Sequence, residues 1–421
     1  MGCEQMTVDV LVCGGGPSGI AAALSAASDG AKTLLVERFG RLGGMSTNAL
    51  VHQIPLMTET PYIRRLYERL KPHIRDNECL DLIYHDLLTE CNAELLMHAP
   101  LCDVFSASGN TRCVAGVRLG TPRGPLDISA GRIVDATGDG TAAFIAGESY
   151  ETGRPSDGLT QPVTIMFRVS GVDHGQSMEA NGGRNQYRFP EGSWNHVTMA
   201  AHARGELPPN VGMVRTYMGA RNSDRYINAT QINYVDATDV YALTRAEIEA
   251  RRQVPRIMDF LQKHAPGFKH AHVSLMPAVL GVRETRRFKG VQRLTREDCM
   301  TGRRWNNAVA VGCRAPLDVH NPKGPGQAEG VSKEHPAGAD PCPAPYDIPY
   351  GCLVPEKIDG LLLAGRCISG DHGAHASYRF QSICMATGAG AGFAAAESLR
   401  QGVQPRGLDP APVQNKLGIT R

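Results

Sequence analysis

The chain has 421 residues, of which 44 are Lys or Arg and 42 are Asp or Glu, so its formal net charge is +2 at pH 7. This near balance excludes the strong basic or acidic bias that nucleic-acid, membrane-surface or highly charged partners require. Apolar residues make up 42 % of the chain and glycine occupies 47 positions, which predicts a globular, turn-rich protein without the run of about 20 apolar residues that a membrane span needs.

The first predicted elements form a dinucleotide-binding unit. A β-branched strand, a Gly-x-Gly-x-x-Gly turn, an alanine-rich helix and a second buried strand follow one another within residues 8–37. In such a unit Gly14 permits the tight turn, Gly16 lets the backbone approach a pyrophosphate, and Gly19 lets the helix pack on the sheet. The helix N-terminus offers free N–H groups to the phosphates, and Glu37 accepts hydrogen bonds from ribose hydroxyls.

A second glycine-containing turn follows this unit directly. Residues 38–47 read Arg-Phe-Gly-Arg-Leu-Gly-Gly-Met-Ser-Thr. A plain NAD-binding unit does not need another close approach of the backbone, whereas a longer cofactor stretched across the sheet does. The second turn therefore indicates a long cofactor, whose second half passes close to another stretch of backbone.

The next elements are two helices and three strands. The patterns predict helices at 61–74 and 80–91, then strands near 101–105, 113–119 and 126–134, with polar glycine-containing turns between them. These strands are close enough in sequence to form a β-meander.

The middle of the chain differs from its flanks. In residues 155–270 short β-type runs alternate with long polar loops, followed by a helix at 244–264 that begins with a Thr-x-x-Glu capping box. We interpret this region as a substrate domain inserted into a cofactor domain that comprises residues 1–154 and 271–421. Residues 320–345 are rich in Pro, Gly, Ala and Lys and predict a loop, either a lid over the cofactor or a solvated connector.

Two further motifs lie on either side of this middle region. A buried strand ends in Ala-Thr-Gly-Asp-Gly at 133–140, and a set of C-terminal segments comprises residues 346–350, 361–369, 375–379 and 386–392. Together with the N-terminal glycine turns, these motifs resemble the FAD-dependent oxidoreductases of the two-dinucleotide-binding-fold type. More narrowly, they resemble the bacterial family related to the fumarate reductase and succinate dehydrogenase flavoproteins.

The resemblance implies an α/β fold, with a Rossmann-like FAD-binding domain, a β-meander and an inserted α+β substrate domain. It implies FAD as the cofactor, with the backbone near Leu101 against the adenine. The residues expected to contact FAD are Gly14, Gly16, Pro17, Ser18, Gly19, Glu37, Arg38, Arg41, Gly43, Gly44, Met45, Leu101, Thr137, Gly138, Asp139, Gly365, Arg366, Ser382 and Ile383.

The C-terminal helix has two interpretations. If it opens among Gly388, Gly390 and Gly392, its positive end points at the pyrimidine edge of the flavin, where negative charge collects on reduction. Alternatively, the small residues serve close helix packing.

One candidate group of catalytic residues lies in an arginine-rich segment. Arg283, Thr285 and Arg287 share a face if the segment is extended. One or two of the arginines then line the pocket as bidentate partners of a carboxylate or enolate. The remaining arginines are solvated or pair with Glu284, so a purely structural salt bridge is the alternative for each.

The resemblance places a second candidate group, a His-x-x-x-Arg element, above the flavin ring. In this element His375 is the expected proton acceptor, Arg379 the charge stabiliser and Tyr378 an optional third member, and each has a structural alternative. Arg366 stands where the fumarate reductase relatives have an acidic residue, which argues against their dicarboxylate substrate.

The cysteine pattern narrows the chemistry further. None of the twelve cysteines forms a Cys-x-x-Cys pair, which predicts reduced, mostly buried thiols and no zinc, iron–sulfur or dithiol site. The disulfide-reductase branch is therefore disfavoured. His52 and Cys367 are the candidate points for covalent flavin attachment. The N-terminal residues leave no room for a secretion signal, so we expect a cytoplasmic protein.

The predicted function is transfer of a hydride between flavin N5 and a small organic substrate, at a C–C or C–O bond next to a carbonyl. A flavin monooxygenase or oxidase that uses O₂ is one alternative, and a non-catalytic or electron-relay flavoprotein is another. No cluster-binding cysteine run and no second Gly-x-Gly-x-x-Gly unit accompany the first. We expect a small-molecule substrate and no nucleic acid, metal or membrane span; the substrate, the reaction direction, the electron partner and the oligomeric state stay open.

Overall fold

The computed structural model describes residues 4–51, 53–177, 179–181, 184–185, 188–190, 192–325 and 342–420. The strands are β1 (Glu4–Cys13), β2 (Thr33–Val36), β3 (Glu94–Leu96), β4 (Leu101–Ala107), β5 (Asn110–Thr121), β6 (Gly124–Asp135), β7 (Tyr150–Thr152), β8 (Met166–Ser170), β9 (Ala180–Asn181), β10 (Arg184–Asn185), β11 (Arg188–Phe189), β12 (Gly192–Ser193), β13 (Arg215–Met218), β14 (Arg225–Asn228), β15 (His272–Leu275), β16 (Arg286–Phe288), β17 (Ala308–Cys313), β18 (Tyr346–Pro349) and β19 (Leu361–Leu363).

The helices connect these strands or cover the sheets. They are α1 (Pro17–Ser28), α2 (Pro61–Leu70), α3 (Asn77–Glu90), α4 (Thr141–Ile145), α5 (Trp194–Ala203), α6 (Val240–His264), α7 (Arg296–Thr301), α8 (His372–Tyr378), α9 (Gln381–Arg400) and α10 (Ala411–Leu417). None of these helices combines the length and the hydrophobicity that a membrane crossing requires.

The larger sheet has seven strands in the order β3-β2-β1-β6-β5-β4, with β19 paired to the C-terminal end of β6. Strands β1, β2, β3, β6 and β19 run parallel, whereas β4, β5 and β6 form an antiparallel meander. All four residues of β2 are buried, as expected for a parallel strand covered on both faces. The α/β fold with a Rossmann-like core and a β-meander is confirmed.

A second sheet of six antiparallel strands has the order β10-β9-β13-β14-β8-β15. It has its own hydrophobic core, in which Phe167 and Ile227 from the sheet meet Phe260 from α6. The buried core residues run from Val163 to Leu280. Sequence-distant segments therefore form a second apolar layer beside the larger sheet.

The predicted capping box at Thr244 is wrong, because α6 begins one turn earlier. The carboxylate of Asp239 caps the helix by accepting hydrogen bonds from the N–H groups of the first turn. Thr244 lies inside the helix and donates to the carbonyl of Val240 at 2.7 Å. Glu247 instead accepts from the backbone N–H of Leu280 at 2.7 Å. An aspartate in the extended conformation is a better cap than a threonine already held in helical geometry.

The expectation that the C-terminal helix opens among its glycines is also wrong, because α9 begins at Gln381. The glycines lie in the middle of the helix, where it crosses α1. A Cβ atom on Gly388 would lie 2.0 Å from the carbonyl oxygen of Ser18, and one on Gly392 would lie 2.1 Å from that of Ala22. The alternative interpretation, a helix of small residues packed closely on its neighbour, describes the structure.

Replacing Gly388 with alanine tests this close packing. Helix propensity alone would stabilise the protein by about 1 kcal/mol. The new Cβ atom meets a backbone carbonyl that no rotamer change can move, so we expect a net loss of about 1–3 kcal/mol in the free energy of unfolding. Urea unfolding of the apoprotein measures this change in the free energy of unfolding. Gly407→Ala, with no atom within 4 Å of the new Cβ, is the control and should change stability by less than about 0.5 kcal/mol. A stabilised Gly388→Ala protein would contradict the packing.

Two sequence predictions fall on residues that the structure does not describe. His52, a candidate attachment point for the flavin, lies outside the described residues, as do residues 326–341 of the predicted loop. Cys367, the other attachment candidate, is fully buried, and burial raises the pKa of its thiol well above the usual range. Its Sγ lies 3.6 Å from the carbonyl oxygen of Asp135. A thiol in that state is a poor nucleophile.

Candidate functional site

The site begins at the edge of the larger sheet where its parallel strands end. Cys13 is in register with Val36 and with Asp135, and Asp135 is in register with Leu363. The segments that follow these four residues are the first glycine turn, Glu37, the Ala-Thr-Gly turn and the turn at Gly365. Ligands of open α/β sheets bind at this edge.

These segments line a groove that we name the cofactor groove. It contains residues of both glycine turns, the Ala-Thr-Gly turn and the start of α9. At one end it continues into a pocket formed by Glu37, Arg38, Leu101 and Thr141. Its lining residues are Gly14, Gly16, Pro17, Ser18, Glu37, Arg38, Phe39, Gly44, Met45, Ala136, Thr137, Gly138, Arg366, Arg379, Gln381 and Cys384.

Glu37 connects the two glycine turns. Its side chain is buried, one carboxylate oxygen accepts a hydrogen bond from the backbone N–H of Gly15 at 2.6 Å, and the other accepts from Phe39 at 2.9 Å. Each carboxylate oxygen keeps a further lone pair for a ligand hydroxyl. Glu37 therefore orders the loop as well as facing the groove.

The groove has the shape of a cradle for a dinucleotide. A Cβ atom on Gly16 would meet only the Cα of Gly44, 4.0 Å away, so the space beside this residue is open. Gly14 has a φ of +104°, and a Cβ there would lie 2.6 Å from the carbonyl oxygen of Ala136. Bare backbone thus flanks the groove on two sides, and the N-terminus of α1 points into it.

Unsatisfied polar atoms at the far end of the groove also fit a large polar ligand. The Nη1 of Arg366, the Nε of Arg379 and the Oε1 of Gln381 are buried and have no hydrogen-bond partner among the described residues. Leaving such groups without a partner costs about 1–3 kcal/mol each. A bound group with several donors and acceptors removes that cost.

A family profile described as FAD dependent oxidoreductase matches residues 9–417. The chain belongs to this family. Its cofactor is therefore FAD, and it is an enzyme. The groove, the bare glycine backbone and the unsatisfied polar atoms are the features of this oxidoreductase that fit FAD.

Solved structures of other proteins share the fold at low sequence identity. The p-nitrophenol 4-monooxygenase PnpA from Pseudomonas putida DLL-E4 is 12% identical, with a TM-score of 0.52, over 95% of this chain and 82% of its own. A geranylgeranyl bacteriochlorophyll reductase-like protein from Thermoplasma acidophilum is 14% identical, with a TM-score of 0.49, over 98% of this chain and 83% of its own. The comparison with curated proteins found no match.

The structure brings twelve of the predicted FAD residues to the groove or its adjoining pocket: Gly14, Gly16, Pro17, Ser18, Glu37, Arg38, Gly44, Met45, Leu101, Thr137, Gly138 and Arg366. Arg379, which we assigned to the substrate, also lines the groove, and so do Gln381 and Cys384 from the first turn of α9. The sequence contains a signal for these two, since they follow the His-x-x-x-Arg element directly.

The other predicted FAD residues lie outside the described lining of the groove and its adjoining pocket. Gly19 packs on the first turn, where a Cβ atom would lie 1.7 Å from the carbonyl oxygen of Gly14. Arg41 turns outward to an ion pair with Glu78 at 2.9 Å. The hydroxyl of Ser382 donates to the carbonyl of Pro55 at 2.7 Å. The remaining members of this group are Gly43, Asp139, Gly365 and Ile383.

A second cavity of about 220 Å³ continues from the cofactor groove, and we name it the inner cavity. It shares Met45, Arg366, Arg379 and Gln381 with the groove, and its far wall includes Arg283. The second sheet contributes to the wall through β8, β13 and β14. Its lining residues are Met45, Val51, Gln53, Pro55, Thr164, Met166, Tyr217, Asn228, Gly281, Val282, Arg283, Asp318, His320, Arg366, Arg379, Phe380 and Gln381.

The charged residues of the inner cavity form one cluster. Arg379 donates to the carbonyl oxygen of Asp318 at 2.8 Å and to its carboxylate at 2.9 Å. The Nε2 of His320 lies 3.3 Å from the same carboxylate. Arg283 donates to the carbonyl of Pro162 at 2.5 Å. Burial, and then the positive charge of Arg379, lower the pKa of Arg283 to about 9.

His320 and Asp318 are cavity residues that the sequence analysis missed. No local motif marks them, because they lie at the edge of a Pro- and Gly-rich loop, and only the fold brings them beside Arg379. Burial and the neighbouring Arg283 lower the pKa of His320 to about 3, so its imidazole is neutral at pH 7. A histidine beside an aspartate before such a loop is too common a pattern to identify a site.

His375 and Tyr378 lie in α8, outside the described lining of the inner cavity. Both are buried, and their rings meet edge to face with centroids 5.3 Å apart. The hydroxyl of Tyr378 donates to the carbonyl of Ile368 at 3.2 Å. Burial and the charge of Arg287 hold the pKa of His375 well below its usual range. These contacts fit a purely structural role for His375 and Tyr378, which was the alternative to a catalytic role.

Arg287 has the structural role that was the alternative for each arginine of its segment. It forms a buried ion pair with Glu284, whose carboxylate also lies 2.9 Å from the Nδ1 of His372 and accepts from the backbone N–H of Gln161 at 3.0 Å. Thr285 donates to the carboxylate of Asp139 at 3.0 Å. Arg283 is thus the residue of this segment that reaches the inner cavity.

Proposed function

We propose that this FAD-dependent oxidoreductase transfers a hydride between N5 of FAD and a small organic substrate, at a C–C or C–O bond next to a carbonyl. The observation that carries the proposal is the inner cavity, which opens into the cofactor groove and is lined by three arginines, Arg283, Arg366 and Arg379. Bound FAD supplies the hydride acceptor or donor. A partly closed cavity lets a substrate meet it with little water present.

The chain's own groups have distinct roles in this proposal. Arg379 holds the substrate carbonyl oxygen and stabilises the negative charge that develops there, while Asp318 orients its guanidinium. His320, a neutral imidazole on the cavity wall, accepts the proton released from the substrate oxygen, and an anionic substrate beside Arg283 strengthens this weak base by offsetting the positive charge that helps to lower its pKa to about 3. We therefore transfer to His320 the role that the resemblance implied for His375. Residues 155–270 act as the substrate domain, because Met166 and Tyr217 come from the second sheet.

Anaerobic reduction of the yellow holoprotein tests the reaction. A panel of 2-hydroxy acids, secondary alcohols and saturated carbonyl compounds is mixed with it, and loss of absorbance near about 450 nm reports transfer to the flavin. With the best compound, Arg379→Gln should lower the rate of flavin reduction about 10- to 100-fold. Arg75→Gln, at an exposed position, is the matched control. A flavin that dithionite reduces but no compound of the panel does would count against the proposal.

A flavin monooxygenase is a second candidate, because the solved structure with the TM-score of 0.52 is described as a monooxygenase. Oxygen uptake coupled to a hydroxylated product would favour this activity, and reoxidation of the reduced flavin by O₂ in the presence of substrate without any oxygenated product would exclude it. Turnover by the isolated chain separates both enzymes from an electron relay.

A further inference from the structure

The inner cavity contains more positive than negative charge. Arg283, Arg366 and Arg379 line it, whereas Asp318 is the one carboxylate among its described lining residues. Arg366 pairs with Asp139 at 3.2 Å, on the side of the cofactor groove, and Arg379 pairs with Asp318 at 2.9 Å. Arg283 is therefore the arginine of the cavity lining for which no carboxylate partner has yet been named.

Arg283 has no carboxylate partner within 4.0 Å among the residues that the structure describes. Its hydrogen bond to a described residue goes to the carbonyl of Pro162, and its partly buried side chain lines the cavity. Asp318 acts on it electrostatically but already pairs with Arg379. A partly buried guanidinium without a carboxylate in contact is costly for the folded protein. An anionic ligand in the cavity removes that cost.

We propose that Arg283 forms a subsite that binds the carboxylate of the substrate, while Arg379 on the same cavity wall holds the reacting carbonyl oxygen. The proposal rests on the proposed function, because the ligand is the substrate of that reaction. A guanidinium presents parallel N–H groups that match the two oxygens of a carboxylate.

The rest of the cavity wall defines the other end of the ligand. Val51, Pro55, Met166, Val282 and Phe380 present apolar surface to the cavity. A ligand that satisfies both parts carries one carboxylate and a short apolar or weakly polar body. The substrate class is therefore a small organic carboxylate rather than a neutral molecule.

Binding of matched acids and amides to the holoprotein tests the subsite without turnover. Acetate, propionate and benzoate are titrated against acetamide, propionamide and benzamide, by calorimetry and by the perturbation of the flavin spectrum. We expect at least one acid to bind about 10- to 100-fold more tightly than its amide, the difference that a charge-assisted hydrogen bond supplies. Inorganic phosphate, titrated in the same way, should bind more weakly than that acid.

Variants locate the effect in the cavity. Arg283→Gln should remove about 10- to 100-fold of the affinity for the acid and leave the amide unchanged, whereas Arg283→Lys should keep part of the preference. Arg75→Gln should change neither. The comparison of acid with amide needs no variant, so the proposal can be tested even if Arg283→Gln does not fold.

The outcomes distinguish this proposal from the proposed function. Equal affinities for every acid and its amide, or tighter binding of phosphate than of any acid, would overturn the carboxylate subsite. Flavin reduction by neutral substrates alone would also overturn it and leave hydride transfer standing. Tight binding of acids to a holoprotein whose flavin no organic substrate reduces would support the carboxylate subsite and contradict the proposed hydride transfer.

Discussion

Gly16→Val is expected to give a folded protein that is purified without FAD, with an affinity for FAD reduced roughly 10²- to 10⁴-fold through loss of several charge-assisted phosphate contacts. The backbone at this position has a φ of −76° and a ψ of −179°, which any residue adopts. A Cβ atom there meets nothing closer than 4.0 Å, so the valine methyl groups extend into the cofactor groove and not into the protein.

The measurement is the ratio of absorbance near about 450 nm to that near about 280 nm after reconstitution with excess FAD. Circular dichroism and thermal unfolding of the apoprotein should change little, because valine at the position before α1 costs only about 1 kcal/mol. Gly407→Val, at an open position outside the groove, is the matched control and should keep its FAD. A yellow Gly16→Val protein with one FAD per chain would show that the pyrophosphate does not pass here.

Glu284→Ala is expected to lower the free energy of unfolding by about 3–5 kcal/mol. Removing this carboxylate leaves the buried guanidinium of Arg287 without its counterion and deprives His372 and the backbone of Gln161 of their acceptor. Both partners of the ion pair are almost inaccessible to solvent, at 0% and 2% of their side-chain surface. Water therefore cannot replace the lost interaction.

Urea unfolding of the apoprotein measures the change, with an exposed ion pair as the control. Arg69 and Glu90 lie 2.8 Å apart, with about half of each side chain exposed, so Glu90→Ala should cost far less than Glu284→Ala. The double variant Glu284→Ala, Arg287→Met should lose less stability than the two single variants together, since each single change leaves a buried group without its partner. If the stability losses of the two single variants were additive, or if Glu284→Ala and Glu90→Ala lost similar amounts of stability, burial would not strengthen the ion pair between Glu284 and Arg287.

The parts of the fold that were predicted correctly are determined by residues close together in the sequence. A glycine that must turn sharply, a helix that begins at a proline and a strand that ends in an acid are determined within a few residues. For that reason the strands β1 and β2 and the meander could be predicted closely, and twelve of the residues expected to contact FAD line the cofactor groove or its adjoining pocket. The start of α6 was missed, because Asp239 and Thr244 can each cap a helix and the choice depends on which one is extended.

The catalytic assignments needed contacts between distant segments. Arg283 and Arg287 differ by four positions and have the same side-chain chemistry, yet one faces the inner cavity and the other pairs with Glu284. His320 reaches the cavity from a loop without a motif, and His375 lies buried although its motif resembles an active-site element.

The sequence by itself determined the α/β class and the glycine turns, because backbone conformation in tight turns is a local property that only a few residue types satisfy. The resemblance of its motifs to a known family indicated FAD. The tertiary structure alone decided which cavity arginine has no carboxylate in contact, which histidine faces the cavity and where α9 begins. Burial and pairing of a charge depend on the positions of all surrounding segments, and no spacing within one segment encodes them.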